Sequence, residues 1–220
     1  MVFMDVIPLV ALMVKPLAGV LPANFQYFGL WGLSCYILIG GLGALLVDTI
    51  WRRTRLAEST KLPWRWLAIG AGASLFVFSP IVLARSFYHP ALAGQWIILL
   101  GILLVAEASE FKSASCLTAI WAAVLTGAIL IHPYFLPMMG VLMILSAAHL
   151  IDRQGWSGRY RWRVLAIMTI VLAAVAVGIF YLVGGFSLGT GAEVYDLADK
   201  GFNLLSFANP LGYSILPAFP

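Results

Sequence analysis

Thirty-nine consecutive residues, Ser113 to Ile151, contain no Asp, Glu, Lys or Arg, and His132-Pro133 stands at their centre. A single helix of that length would run about 58 Å, roughly twice the hydrocarbon thickness of a bilayer. Such a run must fold back on itself. Pro133 has no N–H to donate and biases His132 away from the helical region, so the stretch divides at Ile131-His132-Pro133-Tyr134. The hairpin predicts two spans, 114–131 and 134–151, and sets the frame for the remaining chain.

The other apolar segments follow the same pattern. The chain is 62 % hydrophobic and 10 % charged, with a mean hydropathy of +0.99. That is far more apolar surface than a water-soluble domain of 220 residues could bury. An all-α, multi-pass integral membrane protein is expected, as one transmembrane domain over 1–220. The net charge of +4 sits mainly in short loops between apolar runs, so nucleic acid is not implied as a partner. Cys35 and Cys116 lie in apolar stretches and have no zinc-like spacing, which points to packing rather than a disulfide.

In chain order, 4–21 reads as a short apolar helix carrying Lys15 and lying at the interface rather than crossing. Asp5 in place of a basic leader, and Pro8, Lys15 and Pro16 within the apolar run, argue against a signal peptide. Asn24 is a candidate cap for a first span over 25–47, with Phe25, Tyr27, Phe28 and Trp31 as its headgroup belt. Further spans are predicted over 66–84, over 91–106 with Pro90 at its first position, and over 164–185, making six in all. The outer tail 186–220 forms no span.

Loops after the first, third and fifth spans hold ten of the Lys and Arg residues, against three on the other side. The positive-inside rule therefore places both termini outside, at the periplasmic face of a bacterial inner membrane. An outside N-terminus without a leader suggests a piece of a longer chain.

The polar residues sort by side. Asp5, Arg85, His89, His132, Tyr134, Glu193, Asp196, Asp199 and Lys200 all fall on the outer face, and the span interiors carry no Asp, Glu, Lys or Arg at mid-depth. Ion-coupled transporters keep charges or broken helices near the midplane, so the pattern weighs against a pump. His89-Pro90 and His132-Pro133 are each accounted for by a polar residue beside a turn-forming proline, or by an acid, base or ligand near neutral pH. His149 is expected at the opposite interface. Glu193, Asp196 and Lys200 would share one face of a helix, either as a solvated surface or as a site for a divalent cation or a sugar hydroxyl. Neither a phosphate-binding glycine loop nor the HExxH hydrolase signature occurs.

Five stretches carry a family resemblance: Met4-Asp5-Val6-Ile7-Pro8-Leu9, Phe25-Gln26-Tyr27-Phe28-Gly29-Leu30-Trp31, His89-Pro90-Ala91-Leu92 with Gln95-Trp96, His132-Pro133-Tyr134, and Asn203-Leu204-Leu205-Ser206 with Asn209-Pro210. With them the chain resembles a family of bacterial polytopic membrane proteins whose architecture is similar to the C-type glycosyltransferases, which use lipid-linked sugars. The resemblance implies that a polyprenyl-phosphate sugar enters between helices and is transferred at the outer face. It implies an acidic base or metal ligand in the first large outer loop, with Asp5 at the tail end of that loop as a second acidic group; Asp5, His89 and His132 are the candidate catalytic residues. Arg85, Gln95, Tyr134, Glu193, Asp196, Asp199, Lys200, Asn203 and Asn209 would contact donor, acceptor or a divalent cation. A lipid or polysaccharide transporter or flippase subunit without chemistry of its own is the alternative.

Overall fold

The computed structural model describes residues 7–22, 24–54, 62–155 and 158–182. The chain divides into two units, Met1–Phe186 and Ser187–Pro220, and every described residue lies in the first. The described residues are helical throughout, with no strand among them. In chain order the α-helices are α1 (Pro8–Val14), α2 (Phe28–Arg53), α3 (Leu62–Val77), α4 (Pro80–Tyr88), α5 (Trp96–Glu107), α6 (Ala114–Ile131), α7 (Phe135–Arg153) and α8 (Gly158–Leu182). Short 3₁₀ turns at Lys15–Leu17, Pro90–Ala93 and Ala108–Glu110 extend α1 and flank α5.

Six segments are long and apolar enough to cross a membrane: α2, α3 with α4, α5 with its two flanking turns, α6, α7 and α8. The fold is that of a multi-pass helical membrane protein with a short N-terminal helix. Large apolar side chains face outward along its length, among them Leu75 at 77 % exposure and Phe87 at 82 %. In water such a surface would aggregate, whereas against acyl chains it is ordinary.

Neighbouring helices run in the order α3, α2, α5, α7, α6, α8, with α1 laid against α6. Each buries one narrow stripe. On α2 the stripe is Trp31, Cys35, Ile39, Gly43, Leu46 and Thr49, at helical steps of three and four. Leu117, Trp121, Val124, Leu125 and Ala128 on α6 meet Met139, Met143 and Ala147 on α7 in the main core. Small residues set the closest approaches, as expected where lipid is as apolar as the helix surface. A Cβ on Gly43 would sit 2.7 Å from the Phe76 ring, and one on Gly72 would sit 2.5 Å from Val47. The α2–α3 interface therefore depends on two glycines facing two bulky side chains.

The central hairpin forms as expected. Helix α6 ends at Ile131, His132 takes an extended conformation (φ −163°, ψ 132°), and α7 begins at Phe135. Other boundaries move for identifiable reasons. Helix α2 starts at Phe28 and not at Phe25, because Phe25 N–H closes a turn onto Pro22 O and Asn24 caps nothing. It continues past Val47 to Arg53, since Asp48 and Arg52 pair at i, i+4 and two arginines in the last turn suit the helix dipole. Helix α8 opens at Gly158 (φ +61°), six residues before the expected start, so Arg159, Arg161 and Arg163 lie on its first turns.

The second span is the main departure. The sequence suggested one uninterrupted helix over 66–84. The helix instead stops at Val77 and restarts at Pro80, with Ser79 extended (φ −56°, ψ 128°). Pro80 supplies no N–H to Phe76 O, which receives only a long bond of 3.4 Å from Ser79 N–H. A broken helix does exist inside the membrane-spanning region.

Candidate functional site

Alternation of the six spans creates two ends with different chemistry. At one end lie the starts of α2, α5 and α7 and the finishes of α4 and α6. We call this the histidine end. Trp31, one turn into α2, is buried and donates its Nε1–H to Pro90 O at 2.7 Å. That bond fixes the His89-Pro90 turn over the start of α2. Gly94, four residues later, presses on the other hairpin: a Cβ there would meet Ile131 at 2.8 Å, Trp31 at 3.1 Å and the Ala91 carbonyl at 3.2 Å. Ile7, fully buried, joins the same core cluster. Through Trp31, Gly94 and Ile131 the two His-Pro turns are held to one shared packing centre.

The candidate residues take distinct places around it. His89 is the C-cap of α4, its N–H bonded to Arg85 O at 2.9 Å, and its side chain is exposed. Arg85 is half-buried in the last turn of α4. His132 accepts the Tyr134 N–H on Nδ1 at 3.2 Å, and its ring stands edge-on to Tyr134 with centroids 4.8 Å apart. Its imidazole thus caps the start of α7, in a neutral tautomer protonated on Nε2. Gln95 is the N-cap of α5 and lines a cavity of about 80 Å³ with Ser79, Ile39, Phe76, Val82 and Leu99. The break in the second span opens onto this cavity. Broken helices lining a polar cavity are where membrane proteins place binding groups.

Asp5, Glu193, Asp196, Asp199, Lys200, Asn203 and Asn209 lie outside the described residues. Among the described residues, no three His, Cys, Asp or Glu side chains gather in a way that would hold a metal ion. The described carboxylates, Asp48, Glu107, Glu110 and Asp152, all belong to the opposite end.

That opposite, arginine end is cross-linked by polar side chains, of which His149 was expected at this interface from the sequence. Asp48 on α2 accepts Arg65 of α3 through Nε at 2.7 Å and Nη2 at 2.6 Å, and also pairs with Arg52 at 3.1 Å. Arg53 binds Glu107 at 3.0 Å and donates to Ala106 O. On α7, Ser146 donates to Leu104 O at 3.4 Å and His149 Nδ1–H to Val105 O at 3.1 Å. Three successive carbonyls at the end of α5 are thereby satisfied from neighbouring helices. Gln154 donates to Phe111 O at 3.1 Å just beyond. The last carbonyls of a helix have no partners of their own, so these side chains complete its C-terminus.

Trp31 was legible only in part. Its stretch was expected to form an aromatic belt, but the indole is 5 % exposed and serves as an internal strut. Cys116 likewise departs from expectation: it is exposed on α6, whereas Cys35 is buried. The signal for Trp31 was its i, i+4, i+8 spacing with Cys35 and Ile39, which marks a packed stripe.

A family model described as "Domain of unknown function (DUF6311)" matches residues 1–220, and the chain belongs to that family. No curated protein and no solved structure matches it.

Proposed function

We propose that this DUF6311 member transfers a sugar from a polyprenyl-phosphate donor to an envelope acceptor at its histidine end, in the manner of the C-type glycosyltransferases it resembles. The observation that carries this reading is the shared packing of the two His-Pro turns on Trp31, Gly94 and Ile131. It gathers two imidazoles and the Arg85 guanidinium at the end opposite the arginine-rich loops. By the positive-inside rule that end faces outward, where lipid-linked donors are consumed. Transfer requires a base for the acceptor hydroxyl and positive charge for the departing phosphate. Arg85 supplies the charge, His89 supplies a proton acceptor, His132 presents an Nε2–H donor with its Nδ1 held by Tyr134 N–H, and the carboxylates of Asp5, Glu193, Asp196 and Asp199 are the sequence's candidates for a base or a divalent-cation site. The membrane is taken to be the bacterial inner membrane.

The test is transfer of radiolabelled sugar from polyprenyl phosphate in membranes carrying the full-length protein, compared across Asp5→Asn, Arg85→Gln, His89→Ala and His132→Ala. Loss of at least a hundredfold in one or two of these, with apparent Tm unchanged, supports catalysis. Retention of transfer in all four would overturn it. A transporter or flippase without chemistry is favoured by one specific observation, the break at Ser79 opening onto the Gln95 cavity. It predicts that Ser79→Ala and Gln95→Ala slow translocation of a fluorescent lipid-linked saccharide, while no single substitution at the histidines abolishes it.

A further inference from the structure

A second concavity of the described bundle lies between the starts of α6 and α8, at the arginine end. Helices α6 and α8 run parallel and share the core contacts of Leu117 and Trp121 with Val164, Met168 and Leu172. Beside that contact they splay into an open groove of about 550 Å³ at the arginine end. Its walls are Ser115, Ala119 and Ala122 on α6 and Arg163, Ile167 and Val171 on α8. The groove spans about 12 Å along each helix, two turns and a fraction. Small residues on one wall and branched ones on the other leave a trough that neither helix fills.

Polarity within the groove is graded. Thr118 returns its hydroxyl to Ala114 O at 2.7 Å, so it presents little more than its methyl group. Towards the membrane interior only aliphatic groups remain. At the mouth stand the Arg163 guanidinium and the Ser115 hydroxyl, neither with a hydrogen-bond or ion-pair partner among the described residues. Arg161 stacks over the neighbouring Trp162 ring at 4.9 Å, and Tyr160 also lines the mouth. An apolar trough at membrane depth holds hydrocarbon rather than water. A cation at its mouth, among three arginines in the first turns of α8, selects a negative headgroup over a neutral one.

We propose that the α6–α8 groove binds one anionic phospholipid, with an acyl chain along Ala119, Ala122, Ile167 and Val171 and the headgroup phosphate on Arg163 and Ser115. The site is separate from the histidine end and independent of any transfer chemistry there.

The test uses native mass spectrometry of the full chain in detergent, titrated with phosphatidylglycerol or phosphatidylcholine. One phosphatidylglycerol should be retained at activation energies that strip phosphatidylcholine. Arg163→Gln should weaken it about fivefold, the value expected for one guanidinium at a lipid headgroup. Ala119→Phe and Val171→Trp, which fill the trough from opposite walls, should each remove that lipid while leaving helical content unchanged. Two fillers keep the test decisive if one variant does not fold. Equal retention of both lipids with no effect of Arg163→Gln would overturn the proposal. So would persistence of phosphatidylglycerol in a folded filler variant, or displacement of the lipid by inorganic phosphate alone.

Discussion

The two ends of the bundle are held together by different physics. At the arginine end, helices are tied by side chains reaching to carbonyls and carboxylates: Arg53 to Ala106 and Glu107, His149 to Val105, Arg65 to Asp48. At the histidine end the joints are mainly steric, with the Trp31 indole hydrogen bond set among close-packed Gly94, Ile131 and Ile7. On α2, α3, α5 and α7 the polar end satisfies those carbonyls and carboxylates internally, whereas Arg163 and Ser115 at the α6–α8 groove stand apart from that network. At the steric end the interhelical joints rest on apolar contacts, and the His132 imidazole caps the start of α7.

This contrast is sharpest at glycine. Gly94→Val should be the most damaging of the single changes compared here. Its new methyls meet a branched Ile131 and a backbone carbonyl that cannot yield, costing about 3 kcal/mol as a fall in apparent Tm. A variant that melts like the wild type would show that the histidine end is not sterically locked. Asp48→Asn comes next. It leaves Arg65 and Arg52 without a counter-charge at a carboxylate only 18 % exposed, at about 2 kcal/mol. High salt should narrow that gap by weakening the wild-type pair, whereas Gly94→Val should be indifferent to salt. If both respond alike, the distinction between the two ends fails.

Trp31→Phe keeps most of the ring volume and removes only the bond to Pro90 O, for about 1 kcal/mol. If the proposed transfer is correct, its activity should fall further than its stability, because the His89 turn is then untethered; parallel losses would argue against that link. The smallest effect is expected for Gly101→Ala. Its Cβ would meet only the ends of Met139 and Leu142, both flexible tips, so the change should cost under about 1 kcal/mol. A drop as large as that of Gly94→Val would mean the α5–α7 interface is as rigid as the histidine end.

Much of the fold was legible because its strongest signals are local. A run of uncharged residues divided by His132-Pro133 specifies a hairpin with little help from the rest of the chain, and α6 and α7 form within two residues of their expected limits. Charges were less trustworthy as boundaries. Asp48, Arg52 and Arg53 extend α2 rather than end it, because Arg65 on α3 and Glu107 on α5, distant in sequence, take up the charge of Asp48 and Arg53, and Arg52 pairs with Asp48 one turn back. Pro80 was visible in the sequence, but a proline can kink a span or break it, and the outcome depends on neighbours that receive the freed carbonyls. The candidate site was legible as a sidedness of polar residues. Its holding elements, Trp31, Gly94 and Ile131, were not, since apolar and glycine residues in a membrane span carry little positional signal until their packing partners are known.

The interruption at Ser79 has a mechanical consequence. It turns the second span into two levers pinned at different points. The first is anchored near its start by the Arg65–Asp48 pair, and the second by Val82 in the α2–α5 cluster and, past its end, by the Pro90 carbonyl on Trp31. The two halves of the second span are thus tied to the bundle at separate points, one polar and one apolar, on either side of the break.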